Sequence, residues 1–315
     1  MPELPEVTTI VSQLKKEIVG HKVIEVETIE GYRTEPPFGE FRAKIRNKKV
    51  ASVERVAKTI VVGLGDRSQV IGQRQKFAGE PSPNISHLES VYLVIHLAMT
   101  GRLLLRSKGF KADPWLRLVF SFDDGRELRF TDPRMFGYVR LVSDLKLKEH
   151  QEKYGPDPLD NSLTPLTFLN RLRLKKTMVK RALLEQGLVS GVGNIYANDS
   201  LWMAQIHPET SSENLSLMEA GKLLEALRII LKESIKHRGS TLGDKMYLDL
   251  YGQAGEHQDH LRVFGKNGQA CARCQSPILY KEIGGRGTFF CGACQLKSTK
   301  KITITAPPEN QSGLI

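Results

Sequence analysis

The 315-residue sequence contains no apolar run near the roughly 18 residues that a membrane-spanning helix needs, so a helical membrane protein is excluded. It has no low-complexity tract, and its composition, 40% hydrophobic and 26% charged, is that of a soluble protein. Cysteine is absent from the first 270 residues; all four cysteines fall between 271 and 294. Acid is in deficit: 35 Asp+Glu against 46 Lys+Arg give a net charge of +11. A chain of this sign favours a polyanionic partner, because each phosphate it neutralises releases condensed counterions. The N-terminus, Met1-Pro2-Glu3-Leu4-Pro5-Glu6, is acidic and Pro-rich, the opposite of a signal peptide. It predicts a cytoplasmic protein with no membrane partner that keeps its own N-terminus.

The positive charge is unevenly spread. Arg171, Arg173, Lys175, Lys176, Lys180 and Arg181 form a run without an acid, and Lys266–Lys301 holds seven Lys/Arg against Glu282 alone. Both are candidate phosphate surfaces, with solvated helix and loop faces as the plainer reading.

Val7, Ile10, Val11, Leu14 and Ile18 recur at helical spacing before Gly20, predicting a helix over 3–19. Strands are predicted at 22–29, 50–57, 59–64, 91–97, 102–106, 116–122, 127–131 and 137–142, with a polar insertion at 72–90. After the hinge Tyr154-Gly155-Pro156-Asp157-Pro158 the period turns helical: 165–172, 177–186, 194–203 and 214–236. The buried face of the last is read as Leu215, Met218, Leu223, Leu224, Leu227, Ile230, Leu231 and Ile235. A Gly-rich loop, 238–260, leads to the cysteine segment. The fold class is α+β: an N-terminal β-sandwich led by a helix (2–150), a helical domain (151–262), a finger (263–296) and a polar tail (297–315).

Cys271-x-x-Cys274 and Cys291-x-x-Cys294 are spaced as two ligand pairs of a tetrahedral thiolate site, with Gly284-Gly285 turning a β-hairpin between them. One structural Zn2+ is expected; disulfides are disfavoured because the chain lacks secretory features. Four thiolates leave no ligand position for the nearby His257 and His260, which are read as loop residues.

Pro2-Glu3-Leu4-Pro5-Glu6-Val7, His96-Leu97-Ala98-Met99-Thr100-Gly101, Thr131-Asp132-Pro133-Arg134-Met135-Phe136-Gly137, Gly191-Val192-Gly193-Asn194-Ile195-Tyr196-Ala197 and the finger occur in this order. Together they resemble the formamidopyrimidine-DNA glycosylases, the family shared with endonuclease VIII. The likeness runs from residue 2 to about residue 295. It implies a helix–two-turns–helix DNA-binding domain, a zinc finger, and a glycosylase that also nicks the strand by β,δ-elimination. The implied partner is double-stranded DNA containing oxidised bases or abasic sites, and the implied protein is a nucleoid-associated monomer.

Pro2 fits that chemistry. Loss of Met1 would leave a secondary α-amine, whose class has a pKa of roughly 7.7–8.0 against about 10.4 for lysine, so more of it is nucleophilic at neutral pH. By resemblance, Glu3 is the general acid/base and Lys58 the β-turn lysine that contacts phosphate and supports catalysis, with Glu6 in a lesser supporting role. Met99, Arg134 and Phe136 match residues that fill the gap left by a flipped base. Asn194, opening a helix behind two glycines, and Arg286, at the finger tip, match phosphate ligands. Without the other motifs, Pro2-Glu3 would be an ordinary helix start, and Met99 and Phe136 could equally be core residues. Met135 stands where many relatives have arginine, and Gly243 where some have lysine. The finger and the N-terminal Leu-Pro favour oxidised purines. The alternatives are endonuclease VIII-like action on oxidised pyrimidines, and a non-catalytic zinc protein that binds damaged DNA.

Overall fold

The computed structural model describes residues 2–29, 31–65 and 91–297. The 72–90 insertion, and all but the first residue of the 297–315 tail, lie outside the described residues. Eight strands form two four-stranded antiparallel sheets. One has the order β1 (Val23–Thr28), β6 (Leu116–Phe122), β7 (Arg126–Thr131), β5 (Arg102–Ser107). The other has the order β2 (Val50–Val56), β3 (Thr59–Leu64), β4 (Val91–His96), β8 (Tyr138–Ser143). Val23, Leu103, Leu118, Phe120 and Phe130 from the first sheet share one core with Val53, Ile60, Val62, Ile95 and Val139 from the second. The expected β-sandwich is present.

Helix α1 (Leu4–Glu17) joins that core through Val7, Ile10, Val11 and Leu14. Two helices were not anticipated. In α2 (Phe38–Ile45) only Phe41 and Ile45 are buried, too few to make a readable stripe. Helix α3 (Asp144–Glu152) buries only Leu147, yet it covers the outer face of the second sheet, where Leu147 packs with Val61, Tyr92 and Val94. That cover explains why β3 is buried along its whole length instead of alternating.

The helical half contains α4 (Pro165–Arg173), α5 (Val179–Leu184), α6 (Asn194–Met203) and α7 (Leu217–Lys236). Ser216 caps α7, accepting from Glu219 N at 3.2 Å, while its own amide donates to the Glu219 carboxylate at 2.8 Å. Leu223, Leu224, Leu227, Ile230 and Leu231 form the buried face as expected, but Met218 is exposed. It lies in the first turn, ahead of the stretch that packs on α4 and α6.

Leu4 belongs to this second core, whereas Val7 and the rest of α1 belong to the sandwich. The N-terminal segment therefore crosses from one core to the other within a turn. The finger hairpin pairs β9 (Ile278–Ile283) with β10 (Arg286–Cys291). Gly284 and Gly285 both have positive φ, 60° and 72°, as a two-residue type I′ turn requires. Among the described residues no helix is long and apolar enough to cross a membrane.

Candidate active site and nucleic-acid interface

Residues 2–7 are buried where the two cores meet. Leu4 N donates to Gly191 O at 3.0 Å. The Glu3 carboxylate reaches the N-terminus of α6, accepting from Ile195 N at 2.9 Å and Tyr196 N at 3.5 Å. Unpaired amides and the helix dipole make that end a natural carboxylate site. The glycines before the helix make room for it. A Cβ on Gly193 would lie 2.3 Å from Glu3 Cδ, and one on Gly191 would lie 2.7 Å from Leu4 Cδ1. The anion that the Ile195 and Tyr196 amides hold is thus the protein's own Glu3, and the glycines make room for that carboxylate. The Asn194 side chain turns to the finger, donating to Gly287 O at 3.1 Å.

Burial raises the Glu3 carboxyl to about 7, against the lowering effects of the Lys58 charge and the Ile195 amide. Glu6 holds the same network together. It accepts from Glu3 N at 2.7 Å, from Ser240 N at 2.8 Å and from the Tyr196 hydroxyl in a short bond. Tyr196 also meets Ser234 Oγ at 2.6 Å, and its burial raises the phenol far above its usual range, so it stays a donor. Tyr196, which enters the sequence reading only as part of the Gly191–Ala197 motif, Ser234 and Ser240 were not anticipated as site residues.

Lys58 occupies the two-residue turn between β2 and β3, beside Ala57 at φ 53°. Burial lowers its ammonium, Glu3 and Glu6 pull the other way, and Arg286 adds to the lowering. Residues from the N-terminus, the β2–β3 turn and the finger tip thus share one electrostatic environment. Lys180 belongs to it as well. Its ammonium donates to Gly287 O at 2.9 Å and Thr288 Oγ1 at 2.6 Å, and burial lowers it to about 7. It is a buried strut between α5 and the finger, which corrects its reading as part of a phosphate surface.

Most of that basic run is likewise committed internally. Arg171 donates to Leu188 O, Arg173 to Leu215 O, and Lys175 and Lys176 pair with Glu185 and Glu213. In the later run, Lys281 and Lys297 pair with Glu209, and Arg273 lies over Trp202. Arg286 is exposed at the hairpin tip.

Met99, Arg134 and Phe136 are exposed together on one end of the sandwich, Met99 at 42% and Phe136 at 62%. The Arg134 guanidinium is 4.0 Å from Met99 Sδ and 5.8 Å from the Phe136 ring centre. The core reading of Met99 and Phe136 is excluded. Asp132, buried, organises this end: its carboxylate accepts from Thr100 Oγ1 at 2.5 Å, Gly137 N at 2.7 Å and Arg134 N at 3.1 Å. Met135, also exposed, has a positive φ of 54°.

All four cysteine sulfurs lie within 4.8 Å of one another, and none is in a disulfide. Cys271 and Cys294 are 3.9 Å apart and Cys274 and Cys291 3.4 Å, close to the about 3.8 Å that four bonds of about 2.3 Å to a tetrahedral zinc ion require. Trp202 Nε1 donates to Cys271 Sγ at 3.3 Å, and Cys294 N to Cys291 Sγ at 3.4 Å, contacts that suit thiolates. The donor set fits a structural metal.

The tight seat of Glu3 generates a prediction. Gly193→Ala places a methyl on the Glu3 carboxyl carbon, so the carboxylate must leave the α6 N-terminus. The strand-nicking turnover that the family resemblance implies is expected to fall at least about tenfold, the scale of a lost charge-assisted hydrogen bond, while the far-UV circular dichroism is kept. Wild-type turnover in the variant would contradict the assigned contact.

Residues 1–139 match the family model of the formamidopyrimidine-DNA glycosylase N-terminal domain, and residues 154–246 that of the formamidopyrimidine-DNA glycosylase H2TH domain. The chain is 35% identical over 297 residues to the formamidopyrimidine-DNA glycosylase of Herpetosiphon aurantiacus, covering 94% of this chain and 100% of that one. It is 36% identical to the Parafrankia sp. protein of the same name, over 94% and 98% of the two chains. Among solved structures, Lactococcus lactis Fpg bound to abasic-site DNA superposes with a TM-score of 0.80 at 30% identity, over 94% of this chain and 100% of that one. A Lactococcus mutant bound to Fapy-dG DNA reaches 0.81 at 30% identity, with the same coverage. These likenesses span both halves of the fold and the residues assembled around Glu3: the chain belongs to the formamidopyrimidine-DNA glycosylase family.

Proposed function

We propose that this chain is a base-excision repair glycosylase and abasic-site lyase acting on oxidised purines, 8-oxoguanine and formamidopyrimidines, in double-stranded DNA. The observation that carries the reading is the buried Pro2-Glu3 terminus, seated between the cores with Lys58 and Arg286 in electrostatic reach. Family membership supports it. The Lactococcus relatives are complexes with DNA containing an abasic site or Fapy-dG.

In this reading Met1 is removed and the Pro2 nitrogen attacks the anomeric carbon of a flipped nucleotide. The glycosidic bond breaks, its electron pair leaves with the base, and the proton shed by the attacking secondary amine goes to the departing base. Glu3, partly protonated at neutral pH, gives its proton to the ring oxygen as the sugar opens, and the nitrogen becomes an iminium. The iminium acidifies the adjacent carbon; loss of that proton expels the 3′ phosphate, and a second elimination expels the 5′ phosphate. Lys58, half-buried and close to Glu3, faces the phosphate and favours the ionised carboxylate once the proton has moved. Met99 and Phe136 fill the vacated stack, and Arg134 hydrogen-bonds the orphaned base. Asn194 and Arg286 hold phosphate from the helical side, Asn194 while tied to the finger. Cys271, Cys274, Cys291 and Cys294 hold one zinc ion, which cross-links the finger so that Arg286 is presented on a rigid hairpin.

Three outcomes are expected. Borohydride should trap the chain covalently on 8-oxoguanine DNA, and a variant with one extra residue ahead of Pro2 should not be trapped; equal trapping would exclude the N-terminal amine. Single-turnover excision should follow a bell in pH, because the protonated Glu3 is fully present below its pKa of about 7 and lost above it, while the amine frees its lone pair near its reference of roughly 7.7–8.0. Glu3→Gln should keep the rising limb and lose the falling one; a surviving alkaline limb would assign it to another group. Cys274→Ser should release the zinc, measured by a chromogenic chelator, and weaken DNA affinity at least about tenfold. Unchanged affinity after zinc loss would remove the finger from the interface.

A further inference from the structure

The loop between 238 and 260 is anchored at both ends. Glu256 N donates to His237 O at 2.9 Å, and His257 N to Gly239 O at 2.9 Å. This closure brings two short spacings face to face. Glu233 and His237 are four residues apart at the C-terminal end of α7, on the same helix face. His257 and His260 are three apart on a single 3-10 turn, whose period of three puts them on one side. The His237 and His260 rings lie 4.0 Å centre to centre, and His257 is 6.1 Å from the first and 6.0 Å from the second. One ligand atom each from Glu233, His237 and His260 lies within 4.8 Å of the others. Tetrahedral metal bonds of about 2.0–2.1 Å imply ligand separations of about 3.3 Å, inside that span.

A second observation concerns the ring that lies behind these three residues. His257 is fully buried, yet neither of its ring nitrogens meets a hydrogen-bond partner among the described residues. A buried polar group left unpaired costs roughly 1–3 kcal/mol, so it requires an explanation. His257 supplies no nitrogen to that group of three ligand atoms; its ring packs behind them, 6.0 Å from that of His260.

The geometry points to a second metal site, held by Glu233, His237 and His260 with His257 behind them, that takes a first-row divalent ion of borderline softness such as Zn2+, Co2+ or Ni2+. Imidazole and carboxylate donors suit those ions rather than Ca2+ or Mg2+, and the absence of sulfur separates the site chemically from the finger. The charges around it are mixed. Arg262 engages one Glu233 oxygen at 2.5 Å, leaving the carboxylate's second oxygen for the ion. Arg238 pairs with Glu256 at 2.6 Å, and Asp259 lies exposed on the same turn as His257 and His260. His260 is exposed and Glu233 and His237 are half-buried, so the ion enters from solvent. The bound ion pins the 3-10 turn to α7 directly behind Tyr196, whose ring lies 5.8 Å from that of His257. It would thereby fix the root of the loop that gives Ser240 N to Glu6.

The test is a Co2+ titration of the full chain with its finger already loaded with zinc. One additional equivalent is expected, with weak visible d–d absorption and no thiolate-to-cobalt charge-transfer band. His260→Ala and Glu233→Gln should each weaken that binding at least about tenfold, the lower end of what even an outer-shell partner contributes. Their finger zinc should stay at one ion per chain, which shows that the fold is kept. No uptake beyond the finger, a thiolate band accompanying the uptake, or unchanged uptake in both variants would each overturn the proposal.

Discussion

The contact on which the rest of the site depends is the Glu3 carboxylate at the N-terminus of α6. A carboxylate in a buried setting is costly unless amides and positive charge meet it, and here both do: the Ile195 amide directly, Lys58 through space. The contact also fixes the chain's direction. With Glu3 on α6 and Leu4 in the helical core, α1 is aimed so that Val7, Ile10 and Leu14 enter the sandwich core. One short segment is therefore at once the joint between the two halves and the carrier of the proposed reactive terminus. The substitutions most damaging to chemistry should then coincide with those most damaging to how the halves meet.

Around that joint the polar groups are arranged in series. Glu6 links α1 to Tyr196 on α6 and to Ser240 at the start of the loop, and Tyr196 reaches Ser234 on α7. Lys180 and Asn194 converge on the carbonyl of Gly287, fastening α5 and α6 to the finger. These buried bonds are satisfied and cross element boundaries, so they hold geometry more than they add stability. The proposed histidine–glutamate metal site would extend the chain of contacts from Tyr196 outward to α7 and the 257–260 turn.

Legibility in the sequence followed how each element is stabilised. Elements held by their own periodicity or turn chemistry were readable: α1, α6, the eight sandwich strands, and the finger with its Gly284-Gly285 turn. Helices α2 and α3 were not, because each buries only one or two apolar side chains and is held by the sheet it covers. Met218 fits the helical stripe but lies beyond the packed surface. Charge was the least reliable guide. Lys175, Lys176 and Lys180 look alike in the sequence, but the first two form exposed ion pairs and the third is buried in the finger joint.

The sequence by itself determined the family resemblance, the two-part α+β order and the four-thiolate metal set, because motif identity and short-range spacing carry them. It also supplied Pro2 and Glu3 as the reactive pair in the proposed chemistry. Only the tertiary structure decided that the α6 N-terminus holds Glu3, that Met99, Arg134 and Phe136 share one exposed end, and that Glu233, His237, His257 and His260 meet. The physical reason is distance along the chain. Glu3 and Ile195 are 192 residues apart, and a contact of that span is set by packing of whole elements rather than by any local preference.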